Sequence, residues 1–305
     1  MASLKDLIVA ESQQPSFPAA AAFARDLAER YGVGAAAVLF YGSCLRQATD
    51  QGLMLDFYVL VGDLDDAILN PVSKILAKLL PPNVYYHEMP YEGRILRAKV
   101  AVMTLDRFCA DTLPTKITSS TWARFAQPTR IVWVYDPDIR RQVETALANA
   151  AKAMMINTLP LMPKTFSARD LWVRALSETY AAELRPESPA KAAELVDADL
   201  PRYVAVTEAV FGEAPAGGLY TRTAPPGEAD EARKAWRRRR VWGKVLNVLR
   251  LIKAAFTFRG GLDYAVWKIE RHSGVKIALT ERQRRHPVLT GLWLLPQLLR
   301  RGGIK

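Results

Sequence analysis

The stretch Leu39-Phe40-Tyr41-Gly42-Ser43, followed after a polar loop by residues 53–61 (LMLDFYVLV), decides how this chain is interpreted. Residues 36–41 form an apolar run of the length of a buried strand, and Gly42 interrupts that run. Glycine lets a backbone approach a ligand closely because it has no Cβ. The pattern predicts two buried strands joined through a glycine–serine turn.

Asp56 is the single charged residue within the second apolar run. Side chains alternate between the two faces of a strand, so Asp56 shares a face with Tyr58. An isolated carboxylate in an apolar strand is costly to desolvate unless it is paired or binds a metal ion. Two interpretations stay open: Asp56 pairs with an arginine, or it binds Mg²⁺ beside phosphate groups held by N–H groups of the turn.

The second interpretation is typical of polymerase-like nucleotidyltransferases, which usually carry two acids at alternate positions of this strand. In this chain the second of these positions is Tyr58 rather than an acid. A site with two metal ions would therefore need a carboxylate from elsewhere. The candidates are Asp50, Asp63 and Glu88, and the sequence does not discriminate among them.

The composition limits the class of protein. The chain has 305 residues and half of them are hydrophobic, which suffices for one large domain or two ordinary ones. No run of about 18 apolar residues without charge occurs, so no transmembrane helix is expected. The N-terminal residues lack the apolar core of a signal peptide, and Cys44 and Cys109 are expected to be reduced thiols in a cytoplasmic protein.

The net charge of +11 is unevenly distributed. Residues 1–232 hold 23 Lys+Arg and 28 Asp+Glu, whereas residues 233–305 hold 19 Lys+Arg and 3 Asp+Glu. A strongly basic last quarter indicates contact with a polyanionic surface, either nucleic acid or anionic lipid. The alternative is a basic face that is simply solvated.

Strand and helix patterns alternate up to about residue 140 and become helical afterwards. Among the predicted helices are residues 19–30, 64–80 and 190–211, and residues 212–228, rich in glycine, proline and alanine, are predicted to form an exposed loop. This order predicts an α/β fold in which residues 1–140 form a mixed sheet domain of the nucleotidyltransferase type. Residues 141–230 are expected to form a mostly helical accessory domain, and residues 231–305 a basic amphipathic tail. The tail begins with a predicted helix at about residues 231–258, whose apolar face consists of Val241, Val245, Val248, Leu249, Ile252 and Phe256.

A second apolar segment lies near the end of the tail, at residues 287–301. It contains Leu292 and Trp293, ends with Arg300 and Arg301, and is too short to span a bilayer. A short apolar helix with tryptophan and flanking arginines is typical of the membrane–water interface, so these four residues are predicted to contact a membrane. The alternative is that the segment packs on the protein's own core.

Several motifs in a fixed order resemble one known family, the mitochondrial-type phosphatidate cytidylyltransferases. This family is also called the translocator assembly and maintenance proteins, and it has bacterial members. The resemblance spans roughly residues 36–290. Its motifs are Tyr41-Gly42-Ser43, Met54-Leu55-Asp56-Phe57, Val84-Tyr85-Tyr86-His87, residues 93–100 (GRILRAKV), residues 122–128 (WARFAQP), residues 253–258 (KAAFTF) and residues 264–274.

The resemblance implies that CTP and phosphatidate react to give CDP-diacylglycerol and pyrophosphate, with Mg²⁺ as cofactor. By matching position, Gly42 and Ser43 would hold the triphosphate and Asp56 the metal ion. Lys99 would contact phosphate, although a strand lysine that extends into solvent is the alternative. Arg94 and Arg124 would be further phosphate-binding residues.

The family assignment implies a role in phospholipid biosynthesis and a peripheral position on the inner face of the cell membrane. No nucleic-acid partner is then expected. Two rival functions remain: a nucleotidyltransferase acting on RNA or another polar acceptor, and a non-catalytic membrane adaptor with a degenerate nucleotide-binding fold. The basic run Arg237–Arg240 is the feature that would serve an RNA acceptor.

Overall fold

The structure, a computed structural model, describes residues 2–49, 54–68, 70–183, 188–215, 217–257 and 280. The predictions for Asp50 and for the tail beyond residue 257, including Leu292, Trp293, Arg300 and Arg301, lie outside these residues. The described part has an α/β fold with a five-stranded mixed sheet, helices on both of its faces and a mostly helical region after it. The predicted fold class is confirmed.

The sheet has the strand order β3-β4-β2-β1-β5. Strands β2 and β4 are parallel, and the other neighbouring pairs are antiparallel. Both strands of the decisive stretch lie in the interior of the sheet and are almost entirely buried, which explains why they are continuous apolar runs. The strands are β1 Ala35–Tyr41, β2 Leu55–Val61, β3 Asn83–Tyr91, β4 Arg94–Thr104 and β5 Thr129–Val134.

One face of the sheet is covered by helix α2, with shorter helices beside it. Phe23 of α2 stacks on Phe57 of β2, with ring centroids 5.6 Å apart. The sequence predicts one helix over residues 64–80, but two are present because Asn70 caps a new helix and accepts a hydrogen bond from the Ser73 N–H. The helices are α2 Pro18–Tyr31, α3 Ser43–Gln47, α4 Leu64–Ala67 and α5 Pro71–Leu79.

The other face carries a thicker helical layer. A single apolar core joins Leu39 and Leu60 of the sheet to Trp122, Leu147 and Trp172 of the helices. Helix α1, which the sequence analysis does not predict, belongs to this layer and begins at a capping box formed by residues 3–6. The helices are α1 Leu4–Ser12, α6 Leu105–Asp111, α7 Ser120–Phe125, α8 Pro137–Thr158, α9 Ala168–Ala181, α10 Pro189–Asp197 and α11 Leu200–Phe211.

Two further elements complete the described part. Strands β6 (Thr165–Ser167) and β7 (Leu219–Thr221) form a short antiparallel pair, so the loop expected at residues 212–228 contains a strand. Helix α12 (Glu228–Thr257) then runs back over the helical layer to the start of β3. No helix in the described part of the chain has the length and apolar character needed to cross a membrane.

Lys253 anchors the last turns of α12. Its buried ammonium group donates hydrogen bonds to the Leu80 carbonyl, to the Pro82 carbonyl (2.7 Å) and to Asn83 Oδ1 (2.9 Å). Burial, with a smaller contribution from the charge of Arg250, lowers the pKa of Lys253 from 10.5 to about 8. Above pH 8 the unfolded chain therefore binds this proton more tightly than the folded chain does.

This lowered pKa predicts how stability changes with pH. Between pH 7 and pH 10 the unfolding free energy of the wild type should rise by about 2–3 kcal/mol relative to that of Lys253→Met. Urea unfolding at a series of pH values measures this difference. Lys244→Met is the control because Lys244 is exposed on the same helix. Parallel pH profiles for wild type and Lys253→Met would contradict the assignment.

Candidate active site

The pairing of the strands brings the predicted site residues into one row. Tyr41 of β1 lies opposite Asp56 of β2, which lies opposite Lys99 of β4. The row extends to Thr129 on β5 and Tyr86 on β3. Residues that are opposite each other in neighbouring strands point to the same face, so Asp56 has Tyr41 and Lys99 as its lateral neighbours.

Gly42 closes the end of this row next to Asp56. Its φ of 91° is one that side-chain-bearing residues rarely adopt, and a Cβ at this position would lie only 2.8 Å from Asp56 Oδ2. The backbone of the turn therefore packs directly beside the carboxylate, with Ser43 as the next residue. The structure thus brings Gly42, Ser43 and Asp56 together.

The Asp56 carboxylate is half-buried and surrounded by positive charge without being paired to it. Within the described part of the chain, it makes no ion pair or hydrogen bond that involves its side chain. Burial raises the pKa of Asp56, while the charges of Lys99, Arg124 and Arg46 act in the opposite direction. The interpretation that Asp56 pairs with an arginine is not supported, and the carboxylate remains available for a ligand.

Arg124 on α7 is held by two tyrosines of the site. Its Nη1 donates a hydrogen bond of 2.9 Å to the Tyr58 hydroxyl, and its guanidinium lies 5.6 Å from the ring centre of Tyr41 and 5.7 Å from that of Tyr58. Tyr58 is the main cause of a raised pKa of Arg124, so this side chain stays cationic. A fixed positive charge therefore lies where two-acid sites have their second carboxylate.

Two further cations face Asp56. Lys99 is exposed at the neighbouring position of β4, and Arg46 is exposed on α3, one turn after Ser43. Among the described residues, three cations face Asp56 and one further carboxylate, that of Glu183, acts on Arg124, so positive charge still exceeds negative charge at this end of the sheet. Such a cluster suits an anion with several phosphate groups, because charge-assisted hydrogen bonds to phosphate are among the stronger ones.

The residues present fit Mg²⁺ only if a substrate completes its coordination. No group of three or more histidine, cysteine or acidic side chains that could hold a metal ion occurs among the residues the structure describes. Mg²⁺ is commonly bound by one or two carboxylates together with substrate phosphates. Asp56, whose carboxylate is unpaired and lies beside the glycine turn, can supply that single carboxylate.

The other proposed carboxylates are placed elsewhere. Asp63 follows the opposite end of β2 and caps α4 by accepting a hydrogen bond of 2.9 Å from the Asp65 N–H. Glu88 lies on the edge strand β3, where its carboxylate accepts hydrogen bonds from the Tyr86 hydroxyl (2.6 Å) and from Arg97 Nε (3.1 Å). Neither is brought to Asp56.

Arg94 is also not part of this cluster. It is exposed at the start of β4, where its guanidinium lies 5.8 Å from the ring centre of Tyr91. Because Arg94 and Lys99 are five positions apart on one strand, and side chains alternate between the faces, they point to opposite faces of the sheet.

Arg46 and Arg250 are site residues that the sequence analysis does not identify. Arg250 reaches the site from α12, where Nε donates to the Pro81 carbonyl (3.0 Å) and Nη1 to Ser120 Oγ (3.3 Å). Its charge acts on Tyr58 and Arg124. Nothing in the local sequence signals this position, since the contact depends on how α12 docks. Arg46 could have been found from its position one helical turn after Ser43.

Comparisons with known proteins add little to this geometry. No protein-family model matches the chain, and no curated protein matches it. Among solved structures, the chain is similar to a nucleotidyltransferase-like protein from Exiguobacterium sibiricum, with 11% sequence identity, a TM-score of 0.27 and 91% of each chain covered. A likeness of this size carries no weight for the function.

Proposed function

We propose that the protein transfers a nucleotidyl group from a nucleoside triphosphate to a phosphate monoester. The observation that carries this proposal is the unpaired Asp56 carboxylate, which lies beside the glycine turn and faces Lys99, Arg124 and Arg46. A site built in this way has one position for a metal ion and a surplus of fixed positive charge. The transfer of a group from a triphosphate requires both a metal ion and positive charge that neutralises the phosphate oxygens.

The chemistry needs few protein groups. A monoester oxygen of the acceptor, which is largely ionised at pH 7, attacks the α-phosphorus and forms the new P–O bond. The bond from that phosphorus to the β-phosphate oxygen breaks, and pyrophosphate leaves with its electron pair. No proton has to be removed from the nucleophile, so the absence of a histidine from the described cluster around Asp56 is no obstacle.

Each residue of the cluster then has a defined task. Asp56 would hold Mg²⁺, which supplies positive charge shared between the phosphate groups when it is bound. Arg124, fixed by Tyr58 and Tyr41, would neutralise charge that develops on the transferred phosphoryl group. Lys99 would bind a phosphate oxygen from the neighbouring strand. These tasks are positioning and charge neutralisation.

The finer proposal follows from the family resemblance and names CTP as donor and phosphatidate as acceptor. Phosphatidate offers the ionised monoester that the mechanism requires. An RNA acceptor is less well supported, because the run Arg237–Arg240 does not form a continuous basic surface. Arg239 is turned inward to Asn157 Oδ1, and Arg240 contacts Glu178.

A second candidate function is nucleotide binding without catalysis, and the single acid of the described cluster favours it. Calorimetric titration with CTP and Mg²⁺ followed by an activity assay separates the two functions. Binding without turnover on any phosphate monoester would favour the non-catalytic protein.

The decisive assay supplies radiolabelled CTP and phosphatidate in mixed micelles. The expected product is labelled CDP-lipid, formed with release of pyrophosphate. Diacylglycerol replaces phosphatidate as the matched control, because it differs only in lacking the monoester. Labelled lipid from neither acceptor would refute the assignment of phosphatidate, while turnover with a water-soluble phosphate monoester would preserve the reaction class.

A further inference from the structure

Arg250 has no task in the proposed reaction, yet helix α12 directs it to the cluster around Asp56. Leu249 and Ile252, which belong to the apolar face that the sequence predicts, are 40% and 54% exposed on the outer side of the helix. Arg250 itself is half-buried and points toward the protein. The orientation of α12 therefore places a cation where amphipathic periodicity alone would place an apolar side chain.

The guanidinium of Arg250 is fixed along one side only. Its Nε and Nη1 donate to the Pro81 carbonyl and to Ser120 Oγ, whereas Nη2 makes no hydrogen bond to any residue that the structure describes. Ser120 precedes Arg124 by one helical turn on α7, so these two side chains lie on the same face of that helix. A guanidinium that is already ordered and still has free donors can bind a ligand with little further loss of side-chain entropy.

Arg250 lies close enough to Arg124 for the two charges to repel each other. Burial lowers the pKa of Arg250, and the charges of Arg124 and Arg107 act in the same direction. Tyr58 and Asp111 act in the opposite direction. Since Arg124 donates a hydrogen bond to the Tyr58 hydroxyl, the two guanidinium groups face the same side of β2.

The acids near these two arginines do not balance the charge of Arg250. Asp111 forms an ion pair of 2.8 Å with Arg107, and Glu183 acts on Arg124. Within the described part of the chain, no carboxylate forms an ion pair with Arg250. Two neighbouring cations that are partly removed from water favour an anion between them, because it relieves their repulsion. A phosphate group suits this position, since guanidinium groups bind its oxygens through paired hydrogen bonds.

We propose that Arg250 binds the phosphate group of the acceptor, next to Arg124. This inference rests on the proposed function and deepens it, because it names the residue that recognises the monoester. Tyr58, which holds Arg124, is two residues from Asp56 on the same face of β2, a separation of about 7 Å. A phosphate bound by Arg250 therefore lies beside the triphosphate that Asp56 and Lys99 would hold, and does not take its place. This arrangement brings the attacking oxygen to the α-phosphorus.

Calorimetric titration of the full chain with glycerol 3-phosphate, a soluble phosphate monoester, tests this site without any turnover. The wild type should bind the monoester, and Arg250→Gln should bind it at least about tenfold more weakly, because the charge-assisted hydrogen bonds are lost. The affinity for CTP with Mg²⁺ should change by less than about twofold, since Arg250 is outside the donor's part of the site. Arg250→Lys keeps the charge without the planar donors, so its affinity for the monoester should lie between the other two.

Lys253→Met is the control for the docking of α12. It removes hydrogen bonds to the Leu80 and Pro82 carbonyls at the same end of the helix and leaves Arg250 in place. Its affinity for glycerol 3-phosphate should stay within about twofold of the wild-type value. An equal loss of affinity in Lys253→Met and in Arg250→Gln would mean that Arg250 only holds the helix, and the assignment would then be wrong.

Two further results would overturn the proposal. They are a wild type that does not bind the monoester, and an Arg250→Gln variant that loses affinity for CTP but keeps its affinity for the monoester. The second result would assign Arg250 to the donor. Failure of the proposed function gives a different result: monoester binding that depends on Arg250, with no transfer of a nucleotidyl group, refutes the reaction and supports this site. Where transfer occurs, Arg250→Gln should raise KM for the acceptor by about tenfold or more and leave KM for CTP unchanged.

Discussion

If the proposed function is right, replacement of Asp56 by asparagine should lower kcat by about 10³-fold or more, because the described cluster loses the carboxylate proposed to hold Mg²⁺ against the phosphate groups. Asparagine keeps the size of the side chain and the close contact with Gly42. The assay is formation of the nucleotidyl product at saturating CTP and acceptor. Calorimetry should show weaker binding of Mg²⁺ and CTP together, which separates lost metal binding from lost chemistry.

The same substitution should not destabilise the fold. Burial raises the pKa of Asp56 above the 3.8 of the unfolded chain, so folding favours the protonated form. The contribution of this group to stability therefore falls as pH rises above 3.8 and through the raised pKa of the folded state. Asp56→Asn removes the group that titrates, and its melting temperature at pH 7 should equal or exceed that of the wild type.

Asp63→Asn is the matched control for this experiment. Asp63 lies at the other end of β2 and caps α4, a task that asparagine performs as well as aspartate. Its replacement should leave both kcat and the melting temperature unchanged. Full activity of Asp56→Asn, or an equal loss in Asp63→Asn, would remove Asp56 from the proposed mechanism.

The central part of the fold could be predicted from the sequence because its signals are local. The apolar runs that become β1 and β2 are buried in the interior of the sheet, and the glycine that separates the first run from the polar loop is needed where the backbone meets Asp56. Both features follow from the chemistry of neighbouring residues. The helix predicted at residues 19–30 is found with nearly the same bounds for the same reason.

The features that the sequence did not predict depend on contacts between distant residues. The expected helix at residues 190–211 is divided into α10 and α11, and the orientation of α12 is set by groups more than 60 residues away. Amphipathic periodicity alone would bury the apolar face of α12. The structure instead turns Arg250 and Lys253 toward the protein, because they find carbonyl and hydroxyl acceptors there. Periodicity cannot show where such acceptors lie.

Arg124 illustrates the same limit within the site, and it carries the second prediction. The sequence offers Arg94 and Arg124 as equivalent phosphate-binding candidates. The structure holds only Arg124 beside Asp56, through the Tyr58 hydroxyl 66 residues away and the ring of Tyr41. A guanidinium presents donors in a rigid plane and can stack on aromatic rings while it binds, whereas an ammonium group cannot do both.

Arg124→Lys should therefore lower kcat/KM by about 10²-fold, although the formal charge is unchanged. If Arg124 acts on the transition state, the loss appears mainly in kcat, while a loss confined to KM would assign it to ground-state binding.

Tyr58→Phe removes the hydrogen bond to Arg124 but keeps the ring, so it should also reduce kcat, by a smaller factor. Arg94→Lys is the control on the opposite face of the sheet and should leave both constants unchanged. If Arg94→Lys impairs turnover while Arg124→Lys does not, the phosphates are bound on the other face of the sheet and the proposed site is wrong.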